Sequence, residues 1–142
     1  MPSLSPGQLS LIVVDTDVAS FLFKQDSRAA RYAPHLIGKV LVLSAQSRAE
    51  LYTWPLLRNW GRPRREALEH SLRSYVIEYP DDRICRIYGE LVADTRSRGF
   101  QISAGDAWHA ATALSLGVPL VTHNARHFLG VTGLELITES GE

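Results

Sequence analysis

The sequence predicts an α/β fold, a three-layer α/β/α sandwich around a mostly parallel five-stranded sheet. Three observations lead there. Five short apolar runs rich in β-branched residues are each bounded by turn residues, polar residues or proline. Helical patterns fill the intervals between them, and strand–helix alternation argues for a parallel sheet covered on both faces. The helix limits are also well punctuated by capping residues and glycines.

The first run, Leu9–Val14, drives into two acids in "LIVVDTDVAS". In a doubly wound sheet, ligands bind beyond the carboxyl ends of the strands, and Asp15 falls at that end. Taken alone, Asp15 can equally be a cap for the next helix, accepting N–H bonds near Asp17 or Val18. Helical patterns follow over Thr16–Phe23 and Arg28–Ile37. The second run, Val40–Leu43, leads into "LSAQSRAEL", where Ser44 can cap a helix that reaches Trp54 and that Pro55 should kink or end. Glu50 sits on this helix near the sheet's carboxyl end, although an exposed Glu on a helix is ordinary.

A further helix is expected over Arg64–Arg73. The surrounding "RNWGRPRREALEHSLRS" holds Arg58, Arg62, Arg64, Arg65 and Arg73 with Trp60 among them. Arginine forks and an aromatic face suit phosphates and bases, and a solvated helix face accounts for the same charges. Tyr75–Ile77 reads as the third strand and Asp82–Arg98 as a helix ending before Gly99. In "SAGDAWHAATAL", Ser103 and Asp106 have capping-box spacing, which by itself explains the acid. Ala110, Ala111 and Ala113 make the Gly105–Leu116 helix slim, so it can approach the sheet closely before its C-cap at Gly117.

The fourth run, Leu120–Thr122, continues into "LVTHNARHF". Turn chemistry accounts for Asn124 singly and a local hydroxyl bond for Thr122. His123 and His127 are four apart, as zinc ligands often are, but no third strong ligand lies nearby. His109 reads as packed or surface-exposed rather than catalytic. Leu134–Ile137 is the last strand. The whole chain, 1–142, reads as a single domain, with residues 1–8 and 139–142 expected to fray.

Composition narrows the function classes. Hydrophobic residues make up 45% and charged residues 21%, which is ordinary for a globular protein. Fifteen basic and fifteen acidic side chains cancel, against the broad positive footprint of a protein that coats nucleic acid. Cys85 is the single cysteine, so no intrachain disulfide can form. No basic segment precedes the first apolar run, so neither a signal peptide nor a membrane span is supported, and a cytoplasmic location is the default.

Asp15, Asp106 and Asn124 all fall at the same end of their elements, with Glu50 able to approach. Carboxylates brought within a few ångströms repel and raise one another's pKa, so such a cluster needs compensating positive charge. Hard oxygen ligands select Mg2+ or Mn2+, ions able to activate water and offset charge developing on a phosphodiester.

At these residues the sequence resembles the PIN-domain ribonucleases, specifically the VapC-type toxins of toxin–antitoxin pairs. "VVDTDVAS", "LSAQSRAEL", "DAWHAATAL" and "LVTHNARHF" match the family's motifs in order, over nearly the whole chain from about Leu11 to Leu136. The resemblance implies a metal-dependent endoribonuclease acting on single-stranded or structured RNA with Mg2+ or Mn2+. Asp15 and Asp106 would hold the principal ion, Glu50 would complete or orient its shell, and Asn124 with Thr122 would position water or a second ion. Asp17 would support the site, and Arg58, Arg62, Arg64 and Arg65 would grip the RNA backbone. It further implies a homodimer restrained by a small VapB-like antitoxin, with Trp54, Trp60, Leu56 and Leu57 candidates for the antitoxin groove or dimer surface. Three positions depart from the pattern, one of them His127, which stands where Asp is common before Phe128. Asn124 stands where the wider family often has Asp, which removes one negative ligand, and His109 replaces a residue that is usually aliphatic.

Two other readings fit parts of the chain. A haloacid-dehalogenase-like phosphatase also ends its first strand in Asp-x-Asp, but needs a later lysine and a late acidic pair. Here Lys24 and Lys39 come early, and no Asp follows Asp106. A non-catalytic PIN-fold module that binds RNA or protein is the stronger alternative, given Asn124.

Overall fold

The structure, a computed structural model, describes residues 10–140. It consists of β1 (Leu11–Val14), α1 (Thr16–Lys24), α2 (Ala29–Leu36), β2 (Val40–Ser44), α3 (Ala45–Leu57), α4 (Arg62–Ser71), β3 (Val76–Glu78), α5 (Asp82–Ser97), α6 (Ala104–Leu116), β4 (Leu120–Val121) and β5 (Leu136–Ile137). Short 3-10 turns cover Leu72–Ser74 and Ala125–Phe128. The strands form one sheet in the order β3-β2-β1-β4-β5, and every pairing is parallel.

Alternation along β1 divides the core. Ile12 and Val14 point into a cluster with Val18, Tyr32, Leu36, Leu43, Leu51, Leu68 and Leu72, which packs α1 to α4 on one face. Val13 points the other way, joining Val42, Ile84, Leu91, Leu120, Phe128 and the alanines of α6. A strand buried on both sides has no polar face, which is why its sequence is a continuous apolar run. The order reverses around β1, since β2 and β3 lie on one side and β4 and β5 on the other. The crevice at the carboxyl ends of β1, β2 and β4 is therefore the switch point at which such sheets bind ligands.

Strand and helix boundaries moved by a few residues from expectation. Thr122 falls just past β4, β3 runs from Val76 to Glu78, and β5 starts at Leu136. Pro55 does not end α3 at Trp54. The helix continues through it to Leu57, because a proline one turn from the end removes only one backbone bond and its ring is buried here. Arg58 N–H to Trp54 O (3.0 Å) and Trp60 N–H to Pro55 O (2.9 Å) close the terminus. α4 begins at Arg62, earlier than expected, with Pro63 in its first turn, where a missing N–H costs nothing.

Within the segment expected to fray, Glu139 and Ser140 have partners. The Glu139 N–H donates to Tyr32 Oη (3.1 Å), and its carboxylate lies 3.4 Å from His35 Nε2. The expected fraying of residues 1–8 and 141–142, and the strand position assigned to Leu9, lie outside the described residues. Among the described residues, no helix is long and apolar enough to cross a membrane.

Candidate metal centre

Three helices begin at the sheet's carboxyl edge, and each start fixes a side chain of the site. Asp15 caps α1: Oδ1 accepts from Thr16 N–H (2.8 Å) and Oδ2 from the Thr122 hydroxyl just past β4 (2.7 Å). Capping and site membership are thus compatible in one carboxylate. Ser44, the last residue of β2, caps α3 by accepting from Ser47 N–H (3.1 Å), which sets the helix whose second turn carries Glu50. Ser103 caps α6 by accepting from Asp106 N–H (3.1 Å). The Asp106 carboxylate turns to His127, whose Nδ1 is 3.3 Å from Oδ2.

Gly105 sits where α6 meets α3. A Cβ there would lie 3.2 Å from Glu50 Oε1 and 3.6 Å from Gln46 Nε2, tighter than ordinary contact for the former. The missing side chain lets α6 approach, and Gln46 Nε2 holds Glu50 Oε1 at 3.1 Å.

His109 is the residue that the sequence left outside the site. It lies one helical turn after Asp106, so both point the same way from α6. Its side chain is only 2% exposed, with Nε2 3.5 Å from Asp15 Oδ1 and 3.7 Å from Glu50 Oε1. Nδ1 is 2.8 Å from Ser44 Oγ and 3.4 Å from Ser47 Oγ. The histidine is packed, as expected, but packed into the acidic cluster. Its i+3 spacing from Asp106 was the available signal.

The fringe is also tied down. Asp17 Oδ1 accepts from Val18 N–H (2.7 Å), while Oδ2 accepts from Asn124 Nδ2 (2.8 Å) and from His123 N–H (3.2 Å). Asn124 thereby meets Asp17, and its own N–H donates to Thr122 Oγ1 (3.0 Å). His123 is held 2.5 Å from Tyr32 Oη and lies edge-on to Phe21, so it does not share a ligand position with His127.

Electrostatics follow from burial. The Asp15 carboxyl is raised above its usual range by desolvation, which outweighs the His109 charge and the bonds from Thr122 and Thr16. Asp17 is pushed up to about 7 by burial and then by Asp15. Burial also works against a charged His109, yet Glu50, Asp15 and Asp106 more than offset it and raise its pKa. Glu50 goes the other way. Burial alone would raise it, but the nearby His109, Thr16 and Gln46 donors bring it to about 2.

Two acids held above their normal pKa, Asp15 buried and Asp17 partly so, call for positive charge. Among the described residues, Asp15, Asp106 and His109 each offer one donor atom, all within 4.8 Å of one another. Two carboxylates and an imidazole suit a divalent ion, so the donor set fits the metal that the motifs imply. Glu50 stands outside that set and reaches it beside His109.

The comparisons agree with this fold. The PIN-domain family profile matches residues 12–133. The chain is 30% identical over 128 residues to a protein named Ribonuclease VapC1 from Haemophilus influenzae, covering 88% of this chain and 95% of that one. Among solved structures, VapBC-1 from nontypeable Haemophilus influenzae superposes with a TM-score of 0.77 at 28% identity, covering 90% of this chain and 97% of the other. VapBC2 from Rickettsia felis, bound to a DNA fragment from its promoter, gives 0.81 at 20% identity over 91% and 98%. With the switch-point acids, the matched profile and a VapC relative that spans most of it, the chain belongs to the PIN-domain family.

Proposed function

We propose that this chain is a metal-dependent endoribonuclease, the toxin of a toxin–antitoxin pair, acting as a single domain in the cytoplasm. The observation that carries the reading is the convergence of Asp15, Glu50, Asp106 and His109 at the switch point, with Asp15 raised in pKa by burial. A bound Mg2+ or Mn2+ supplies an activated water and offsets charge on the cleaved phosphodiester.

The chain's own residues do the rest. Asp15 and Asp106 hold the ion. Thr122 and the Thr16 N–H fix the Asp15 rotamer, so a ligand oxygen is aimed before the ion arrives. Glu50, ionised at any physiological pH, orients the shell from the α3 side. Asn124, anchored on Asp17, closes the mouth beside Thr122 and positions water or a second ion.

RNA backbone would follow a cationic band on the α1 side. Arg64 lies over the Trp60 ring (3.7 Å), Arg58 over Trp54 (5.3 Å) and Arg28 over Phe21 (3.8 Å), while Trp60 stacks on Phe23 (5.9 Å). Arg58 and Arg64 form no ion pair among the described residues. Slight burial, then Arg58 and Arg64, lower the pKa of Lys24, which places it on the same surface. Arg62 and Arg65 are placed differently. Arg62 pairs with Glu66 (2.8 Å), and both line a cleft of about 330 Å³ with Tyr52, Pro55 and Leu56.

Trp54 and Trp60 pack against the core, so of these four candidates Leu56 and Leu57, 61% and 74% exposed, are the ones open to a VapB-like antitoxin or a second copy in a homodimer. The testing experiment is cleavage of total RNA, tRNA included, by antitoxin-free protein with Mg2+ or Mn2+, and its loss on chelation. Absence of cleavage with either ion would leave the non-catalytic PIN-fold module as the better reading.

A further inference from the structure

The imidazole of His109 has two nitrogens in different surroundings. Nδ1 meets Ser44 Oγ at 2.8 Å, and that hydroxyl is itself fixed by the Ser47 N–H at the head of α3. In the neutral imidazole with Nδ1–H donating to Ser44, Nε2 has its lone pair available to an ion arriving among the acids. This is how a protein orients a histidine that binds metal, one nitrogen held by a neighbour so that the other is aimed.

The spacing at Nε2, 3.5 Å from Asp15 Oδ1 and 3.7 Å from Glu50 Oε1, is longer than a hydrogen bond and leaves room for a shared ion. A good N–H···O bond is about 2.7–3.2 Å. Two donors about 2.1 Å from a shared octahedral ion stand roughly 3.0 Å apart when adjacent and about 4.2 Å apart when opposite. Nε2 is 3.5 Å from Asp15 Oδ1, and the donor atoms of Asp15, Asp106 and His109 all lie within 4.8 Å of one another. The side chain is 2% exposed, so Nε2 sees the cluster and not solvent. Alanines on the same helix give it close walls: Ala107, Ala110 and Ala111 are fully buried.

We propose that His109 is a protein ligand of the divalent ion, its Nε2 joining Asp15 and Asp106, and that this nitrogen tilts the site toward Mn2+ over Mg2+. Mg2+ prefers an all-oxygen shell, whereas Mn2+ accepts an imidazole among carboxylates. The inference rests on the metal-site reading above and adds to it a donor and a selectivity.

The test is Mn2+ alone, added to the full chain and read by electron spin-echo envelope modulation. Bound Mn2+ should show 14N modulation, converted to 15N modulation when histidine is 15N-labelled. His127 also approaches Asp106, so His127→Asn is the control and should retain the modulation. His109→Leu should lose it and weaken Mn2+ by about tenfold, with Mg2+ changed less than about twofold. Should His109→Leu fail to fold, labelled wild type and His127→Asn still decide the matter. Mn2+ bound without nitrogen modulation, or modulation that disappears in His127→Asn alone, overturns the His109 ligand and leaves the metal site standing. A wild-type chain that binds no Mn2+ removes both.

Discussion

The two ends of α3 each lie at a concentration of charge, and the two are built in opposite ways. At its amino end, Asp15 and His109 are buried, Asp17, Glu50 and Asp106 partly so, and nearly every polar atom has an assigned neighbour. At its carboxyl end, Arg58 and Arg64 stand in solvent, each resting on a tryptophan face. A buried charge is costly and over-determined, so its position is exact and a single substitution has large consequences. An exposed cation is screened by salt and worth little alone, so its effects are small and additive. The same helix therefore offers a rigid centre at one end and an adaptable electrostatic surface at the other.

Substitutions separate the two regimes, the strongest at the amino end. Asp15→Asn or Asp106→Asn should lower RNA cleavage by more than about 100-fold, since even outer-shell partners of a metal site are worth about 10–100-fold. Circular dichroism should show the fold intact, because neither change opens a cavity. Equal turnover in either variant would break the contrast at its strong end.

Next in size is Thr122→Val, which keeps the shape and removes the donor to Asp15 Oδ2. A buried acceptor left unmatched costs about 1–3 kcal/mol, and chemical denaturation of the metal-free chain should report a loss of that order. Asp17 gives the pH signature of the same region. Its pKa of about 7 in the fold exceeds the ordinary 3.8, so its carboxylate destabilises the folded chain once ionised. Asp17's contribution to stability is fully present below pH 3.8 and is lost as pH rises through about 7. Melting of the metal-free chain across that window should show the decline, and Asp17→Asn should flatten it.

The smallest effects belong to the carboxyl end. Arg58→Ala with Arg64→Ala should weaken binding of single-stranded RNA, and the slope of log affinity against log salt should become shallower by about 0.7 for each phosphate no longer neutralised. Cleavage at saturating RNA should change little. A large loss at saturation would mean that the band takes part in the chemistry, and the distinction between the two ends would fall.

Much of this arrangement is legible in the chain. The five strands and the helices between them follow from β-branched runs and capping residues, and the alternation fixes a parallel sheet. Asp15, Glu50 and Asp106 follow β1 and β2 or open α6, so topology alone brings them to one edge. His109 is harder to read. A histidine among alanines looks like packing, and only the docking of α6 against Ser44 and Asp15 reveals which way the ring points. The split among the arginines is tertiary too. Arg58 and Arg64 turn toward α1, while Arg62 and Arg65 turn into the α3–α4 cleft, a difference that spacing within one basic stretch does not encode. Pro55 shows a local rule yielding to position, since a helix about to end tolerates the residue that would break it midway.

Gly105 limits how this centre can change over time. The volume a methyl group would occupy borders the Glu50 carboxylate and the Gln46 amide, so an alanine obliges the carboxylate to give way by a few tenths of an ångström, and a bulkier residue would have to displace it. A substitution at position 105 is therefore felt first at the Glu50 carboxylate and then at the Gln46 amide.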